Sequence, residues 1–220
     1  MRKLFFTLCL LTAFYCLSAQ DSRLWIGAHV TPTLSFLRGN PSIKKFHETG
    51  VFYAAGIDLM YQLNTRWSLR SGIELERKGS RTEAELTDID GMPLGLATFH
   101  TTWDYVGIPV MLSYRLVDSK INLVGALGPN FGLLLRARSE SPNADNSSTL
   151  SEDVSPEYNK SDIGIAAALG LEIPLFETLM GTISIRDYYG LNSIAKTNRI
   201  GSTNVKTNTL GLQIGMMLNL

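Results

Sequence analysis

The sequence predicts an all-β fold, an eight-stranded antiparallel up-and-down transmembrane β-barrel of the outer-membrane type. Three observations predict it. Eight stretches alternate between two kinds of residue with a period of two, the mark of a strand with two unlike faces. Tight turns near Asn64-Thr65, Asp118-Ser119 and Phe176-Glu177 alternate with long polar loops over roughly 38–50, 80–101, 139–160 and 191–207. Outer-membrane barrels are built this way, with short turns toward the periplasm and long loops outside. Finally, one face of every stretch is apolar and the charges gather on the other.

The stretches follow in order. The first sets Leu24, Ile26, Ala28 and Val30 against Trp25, Gly27, His29 and Thr31. The second sets the odd residues from Val51 to Tyr61 against the even ones from Phe52 to Gln62. The third has Trp67, Leu69, Ser71, Ile73 and Leu75 on one side, with Ser68, Arg70, Gly72, Glu74 and Glu76 on the other. The fourth opposes Val106, Ile108, Val110, Leu112 and Tyr114 to Tyr105, Gly107, Pro109, Met111, Ser113 and Arg115. The fifth starts at Ile121 and continues toward Arg136. The sixth covers Asp162 to Glu172, the seventh Leu179 to Arg186, and the last Leu210 to Leu220.

Cost decides which face meets lipid. The second face carries Asp58, Arg70, Glu74, Glu76, Arg115, Arg136, Asp162, Glu172 and Arg186, with Lys78 just beyond. Each would cost up to several kcal/mol in hydrocarbon. The first face has no charge until Asp187. The charged face is also crowded with glycine and alanine, which suits a narrow lumen better than a solvated surface. Ten charged residues, five of each sign, then form a paired network that plugs the lumen, because an eight-stranded barrel is only wide enough for its own side chains. Tyr61, Trp67 and Tyr114 lie beside tight turns, and Tyr53, Trp103, Tyr188 and Tyr189 beside long loops. That distribution predicts two aromatic girdles at the membrane interfaces. Strands of about ten residues at ~3.4 Å rise, tilted by roughly 40°, span about 26 Å, the height of an outer-membrane apolar band.

The N-terminus reads as a secretory signal over residues 1–19. Arg2 and Lys3 precede an apolar run from Leu4 to Leu17, then Ser18-Ala19-Gln20, with cleavage after Ala19. The barrel domain is then residues 20–220. Both cysteines, Cys9 and Cys16, fall in the removed segment, which leaves the mature chain without disulfide, thiolate ligand or thiol nucleophile. Removal of Arg2 and Lys3 leaves 18 basic against 20 acidic residues, a balance that gives no reason to expect nucleic acid as a partner.

Several segments resemble the PorT-like outer-membrane β-barrel proteins. They are Trp67-Ser68-Leu69-Arg70-Ser71-Gly72-Ile73-Glu74-Leu75 leading to Lys78-Gly79, Tyr105-Val106-Gly107-Ile108-Pro109-Val110, and Gly125-Ala126-Leu127-Gly128-Pro129. Asp162-Ile163-Gly164, Tyr188-Tyr189-Gly190-Leu191 and the closing strand extend the resemblance over essentially the whole mature chain. It implies a Gram-negative outer membrane, an eight-stranded barrel, and an association with the type IX system that exports proteins across that membrane. One departure is the C-terminus: outer-membrane barrels commonly end in an aromatic residue that aids insertion, whereas this chain ends Leu218-Asn219-Leu220.

Catalytic and metal patterns are sparse. His29, His47 and His100 have no metal-ligand spacing. Asp88-Ile89-Asp90-Gly91 resembles part of a calcium loop, but Leu86 occupies the first ligand position and no glutamate closes it. Gly125 to Gly132 lacks the Lys-Ser/Thr of a phosphate loop. A nucleophile assembled from His100, Asp104 and a serine would need geometry that sequence does not supply. No catalytic residue, metal or cofactor is therefore expected. The expected partners are outer-membrane lipid around the barrel and envelope or secretion-complex proteins through the long loops. The polar loop 139–160 is expected to be solvated and mobile. The expected role is structural or interactive, as an envelope protein or secretion accessory. A membrane-embedded lipid-modifying enzyme or a small-ligand-binding barrel is the alternative.

Overall fold

The computed structural model describes residues 23–39, 47–87, 92–142, 149–196 and 204–220. The proposed signal segment lies outside them. Among the described residues there are nine antiparallel strands: β1 (Leu24–Gly39), β2 (His47–Gln62), β3 (Trp67–Thr87), β4 (Pro93–Val117), β5 (Asn122–Pro142), β6 (Thr149–Asp153), β7 (Ser161–Pro174), β8 (Leu179–Gly190) and β9 (Val205–Asn219). Eight close into a barrel in the order β1-β2-β3-β4-β5-β7-β8-β9, with β9 pairing back to β1. β6 pairs with the far end of β5, outside the ring.

Each expected stretch falls on one barrel strand, with Ile121 and Leu220 one residue beyond the strand ends, and the three tight turns fall between β2 and β3, β4 and β5, and β7 and β8. The first turn is held by Asn64, whose side-chain oxygen accepts from the backbone N–H groups of Arg66 (2.9 Å) and Trp67 (2.8 Å). The second is held by Ser119, whose hydroxyl donates to the Ile121 carbonyl at 2.7 Å.

The other end differs from the expectation. Much of the loop 80–101 is strand, because β3 runs to Thr87 and β4 begins at Pro93. The loop 139–160 is likewise built rather than only solvated. β5 continues to Pro142, β6 returns along it, and the chain turns through a single 3-10 turn at Ser155–Glu157. The strands continue beyond the span because polar side chains no longer have to be paid for in hydrocarbon, while backbone pairing remains favourable.

The apolar face points outward. Val30, Ile57, Ile73, Leu127 and Ile185 are 58–61% exposed, as lipid-facing residues are in an isolated barrel. The core is the lumen, and it is closed at both ends. At the loop end Leu37, Trp103, Tyr105, Ala137, Ile194 and Val205 pack together, with Tyr158 meeting Trp103 edge-on at 5.4 Å. Two returning segments hold this cap down. Asn159 N–H donates to the Ile194 carbonyl at 2.7 Å, and Lys196 N–H to the Glu157 carbonyl at 3.0 Å. At the turn end Met60, Met180 and Met217 pack with Trp25.

Candidate functional site: the charged lumen

Period-two geometry delivers the inward charges at three heights. Nearest the tight turns, Arg70 on β3 donates to Glu172 on β7, and Arg115 on β4 reaches the same carboxylate at 3.5 Å. Arg115 also donates to the Thr65 carbonyl at 3.0 Å, which ties this layer to the first turn.

At mid-height Arg186 on β8 grips Glu74 on β3 with two bonds, 2.5 and 2.8 Å. This bidentate fork is the strong form of an arginine–carboxylate contact. His29 on β1 stands between two acids. Its Nδ1 is 2.7 Å from Asp58 and its Nε2 is 3.6 Å from Glu74. Only a ring carrying both N–H groups points a donor at each.

Above lies Lys78, whose Nζ donates to Asp162 at 2.9 Å and sits 3.3 Å from Glu76. Asp162 is fully buried and also accepts from Thr207 and Tyr188, both at 2.6 Å. Glu76 accepts from Thr209 at 3.0 Å. The ammonium of Lys78 lies 3.7 Å from the centre of the Tyr188 ring, a cation–π contact. Small inner residues make room for these groups. A Cβ on Gly107 would lie 2.9 Å from Glu74 Cγ, and one on Gly164 would lie 2.5 Å from the Tyr188 ring.

Three residues are not where the sequence reading put them. Arg136 is outside the lumen, about half exposed and 3.7 Å from Asp153. The pairing of β4 with β5 slips between Asp104 and Tyr105, and the bulge turns the inner face from Leu134 to Ala137. Trp103 and Tyr188 are not girdle residues: they are 1% and 2% exposed, inside the barrel. Both share parity with the charged face, Trp103 with Tyr105 and Tyr188 with Arg186. His29 is the member that sequence reasoning missed, although its parity with Trp25 and Gly27 marked it as inward. With Arg136 outside, the inward acids outnumber the inward Lys and Arg by one, and His29 stands between two of those acids.

The other expected girdle rings lie on the outer surface or its edge. Tyr53, Trp67 and Tyr189 are exposed, and Tyr61 and Tyr114 are partly covered. Trp67 and Tyr114 face one another across β3 and β4 with ring centres 4.7 Å apart. The trial nucleophile is not assembled. His100 and Asp104 are separated by four residues of extended strand, about 13 Å. Both Asp104 oxygens are held by Arg77, at 2.6 and 3.0 Å.

Between the two lower layers lies a chamber of about 40 Å³ lined by Asp58, Arg70, Met111, Glu172, Arg186 and Met217. A water needs roughly 10–15 Å³ by this measure, so the space suits a few waters. A small-molecule pocket is typically about 300–1,000 Å³. Among the described residues there is no cluster of three or more His, Asp or Glu able to hold a metal.

Similar solved structures include Neisserial surface protein A, at 10% identity over 91% of this chain and 98% of that one, with a TM-score of 0.49. The attachment invasion locus protein Ail of Yersinia pestis is 14% identical over 88% and 98%, with a TM-score of 0.43. OprG of Pseudomonas aeruginosa is 12% identical over 90% and 95%, with a TM-score of 0.43. No curated protein matches the sequence. Residues 18–196 match the family model for the outer membrane protein beta-barrel domain. With most of its length matched, the chain belongs to that family and is an outer-membrane β-barrel protein.

Proposed function

We propose that this barrel is a sealed envelope scaffold whose working surface is its loop-side sheet, serving protein interaction rather than transport or catalysis. One observation carries the reading. The lumen is closed at both ends and cross-linked by buried ion pairs, while β3, β4, β5 and β6 rise past it as a four-stranded sheet. Among the described residues the outer edge of β6 pairs with no other strand, and Leu150 on it is 63% exposed. An unpaired edge is a ready template for a partner strand. The resemblance to PorT-like proteins supports a finer version, in which the partner belongs to an outer-membrane secretion complex. The small size of the lumen chamber weighs against a ligand carrier.

The test removes the sheet and spares the barrel. Replacing residues 141–150 by Asn-Gly closes a two-residue hairpin between the paired Glu140 and Ser151. Replacing residues 83–98 by Asn-Gly does the same between Thr82 and Phe99. Both variants should keep heat-modifiable gel mobility and lose the proteins that co-purify from detergent-solubilised membranes. Retention of the wild-type partner set by both variants would refute the proposal.

A further inference from the structure

The methionines at the turn-side mouth form a set that the ion-pair network leaves unexplained. Met60, Met180 and Met217 are 1%, 4% and 3% exposed and belong to one buried cluster with Trp25 packed against it. The strand register puts them there. Trp25 faces Met60 across β1 and β2, and Met180 faces Met217 across β8 and β9. Met217 in turn lies beside Gly27 of β1, where a Cβ would come within 2.8 Å of its Cγ. A space left by one residue is filled by a thioether from the next strand.

The choice of residue is selective. The outer face fills the same four strands chiefly with Leu, Ile and Val, whereas the inner face at this height uses Met on three of them. A thioether is a soft, uncharged donor on a stem with three rotatable bonds, and it needs no deprotonation to bind. Soft thioether donors select Cu(I) over hard cations, and Ag(I) shares that softness. Three neutral sulfurs take a monovalent ion without adding negative charge to the lumen. The Trp25 indole packs on the cluster, and an indole face attracts a cation. Access exists on one side, because Met60 also lines a shallow opening at the mouth with Gln62, Asn64 and Thr65. Turns of this kind face the periplasm.

We propose that Met60, Met180 and Met217, with the Trp25 ring, form a site for one soft monovalent metal ion, Cu(I) or Ag(I), at the periplasmic mouth.

The experiment uses the full chain carrying Cys9→Ser and Cys16→Ser, so that no thiol competes. The protein is refolded in detergent without chloride and titrated with silver nitrate by calorimetry. One equivalent should bind, and Met180→Leu and Met217→Leu should each weaken it by more than about tenfold, since even the loss of an outer-shell partner commonly costs that much. Leucine retains the apolar filling, so a pure plug would not register these changes. In parallel, methionine methyl NMR of the unsubstituted-core protein needs no lumen variant to fold. Silver should shift the methyl signals of Met60, Met180 and Met217 and leave Met92 and Met216 in place. Absence of one-equivalent binding, unchanged affinity in the folded leucine variants, or methyl shifts confined to other methionines would each overturn the site and make the cluster an apolar plug only.

Discussion

The Glu74–Arg186 pair is a two-bond bridge across the lumen, and a double-mutant cycle measures what it does. Glu74 is 2% exposed and Arg186 is 8% exposed, and they share two short bonds from β3 to β8. Glu74→Gln leaves a buried guanidinium facing a neutral amide and also removes the acid beside His29 Nε2. Arg186→Met keeps most of the stem and leaves a buried carboxylate. Breaking a buried pair from one side costs about 3–5 kcal/mol, because the remaining charge is uncompensated. Were the two losses independent, the double variant would lose about 6–10 kcal/mol, close to the whole stability of a typical domain. The pair reading predicts instead that the double variant is no less stable than the worse single one, with a coupling energy of about 3 kcal/mol or more. The assay is urea-induced unfolding in lipid vesicles, followed by tryptophan fluorescence under reversible conditions. Additivity within about 0.5 kcal/mol would show that the two side chains do not act as a pair, since that is how independent sites behave.

Three other outcomes follow from the same geometry. Ile108→Arg should impair folding into lipid far more than Met111→Arg, because Ile108 is exposed on the lipid face and Met111 lines the charged chamber; the lipid-face cost is about 2–4 kcal/mol near the midplane. Equal folding yields would mean the faces are inverted. Gly164→Ala should lower the folded fraction, with its Cβ 2.5 Å from Tyr188, whereas Gly125→Ala meets only Leu116 at 3.7 Å and should fold normally. Equal behaviour on heat-modifiability gels would contradict the packing. Trp103→Ala should cost about 3–5 kcal/mol and admit a water-soluble quencher to the loop-side lumen, since Trp103 is the largest fully buried side chain. Unchanged quenching would show that the ring does not seal it.

Period two was enough to read the eight barrel strands, because a barrel wall gives every residue one of two environments. The same rule reaches the inner side of Glu74, Glu76, Lys78 and Asp162 without knowledge of their partners. It does not reach Arg136, because the Leu133-Leu134-Leu135 run looks the same whether or not a bulge follows it. Trp103 and Tyr188 differ from the girdle expectation for another reason. Nearness to a loop suggests an interface, but the face is set by parity, and parity places both rings inside. His29 is not legible as a member of the lumen network because a single histidine has no metal spacing, and its partners Asp58 and Glu74 are 29 and 45 residues away in sequence and meet it only through strand pairing. The extended sheet with β6 was hidden by composition. Beyond the membrane a strand needs no apolar face, so its sequence reads as a polar loop.

The lumen is closed by Trp103 and its neighbours at one end, by the methionines at the other, and by cross-linked charges between them. Single-channel recording on the refolded protein in planar bilayers tests this most directly. A closed lumen should give insertion without stable conductance steps across the physiological voltage range. A large, long-lived open state would contradict it, because the charge network would then line a channel rather than fill one.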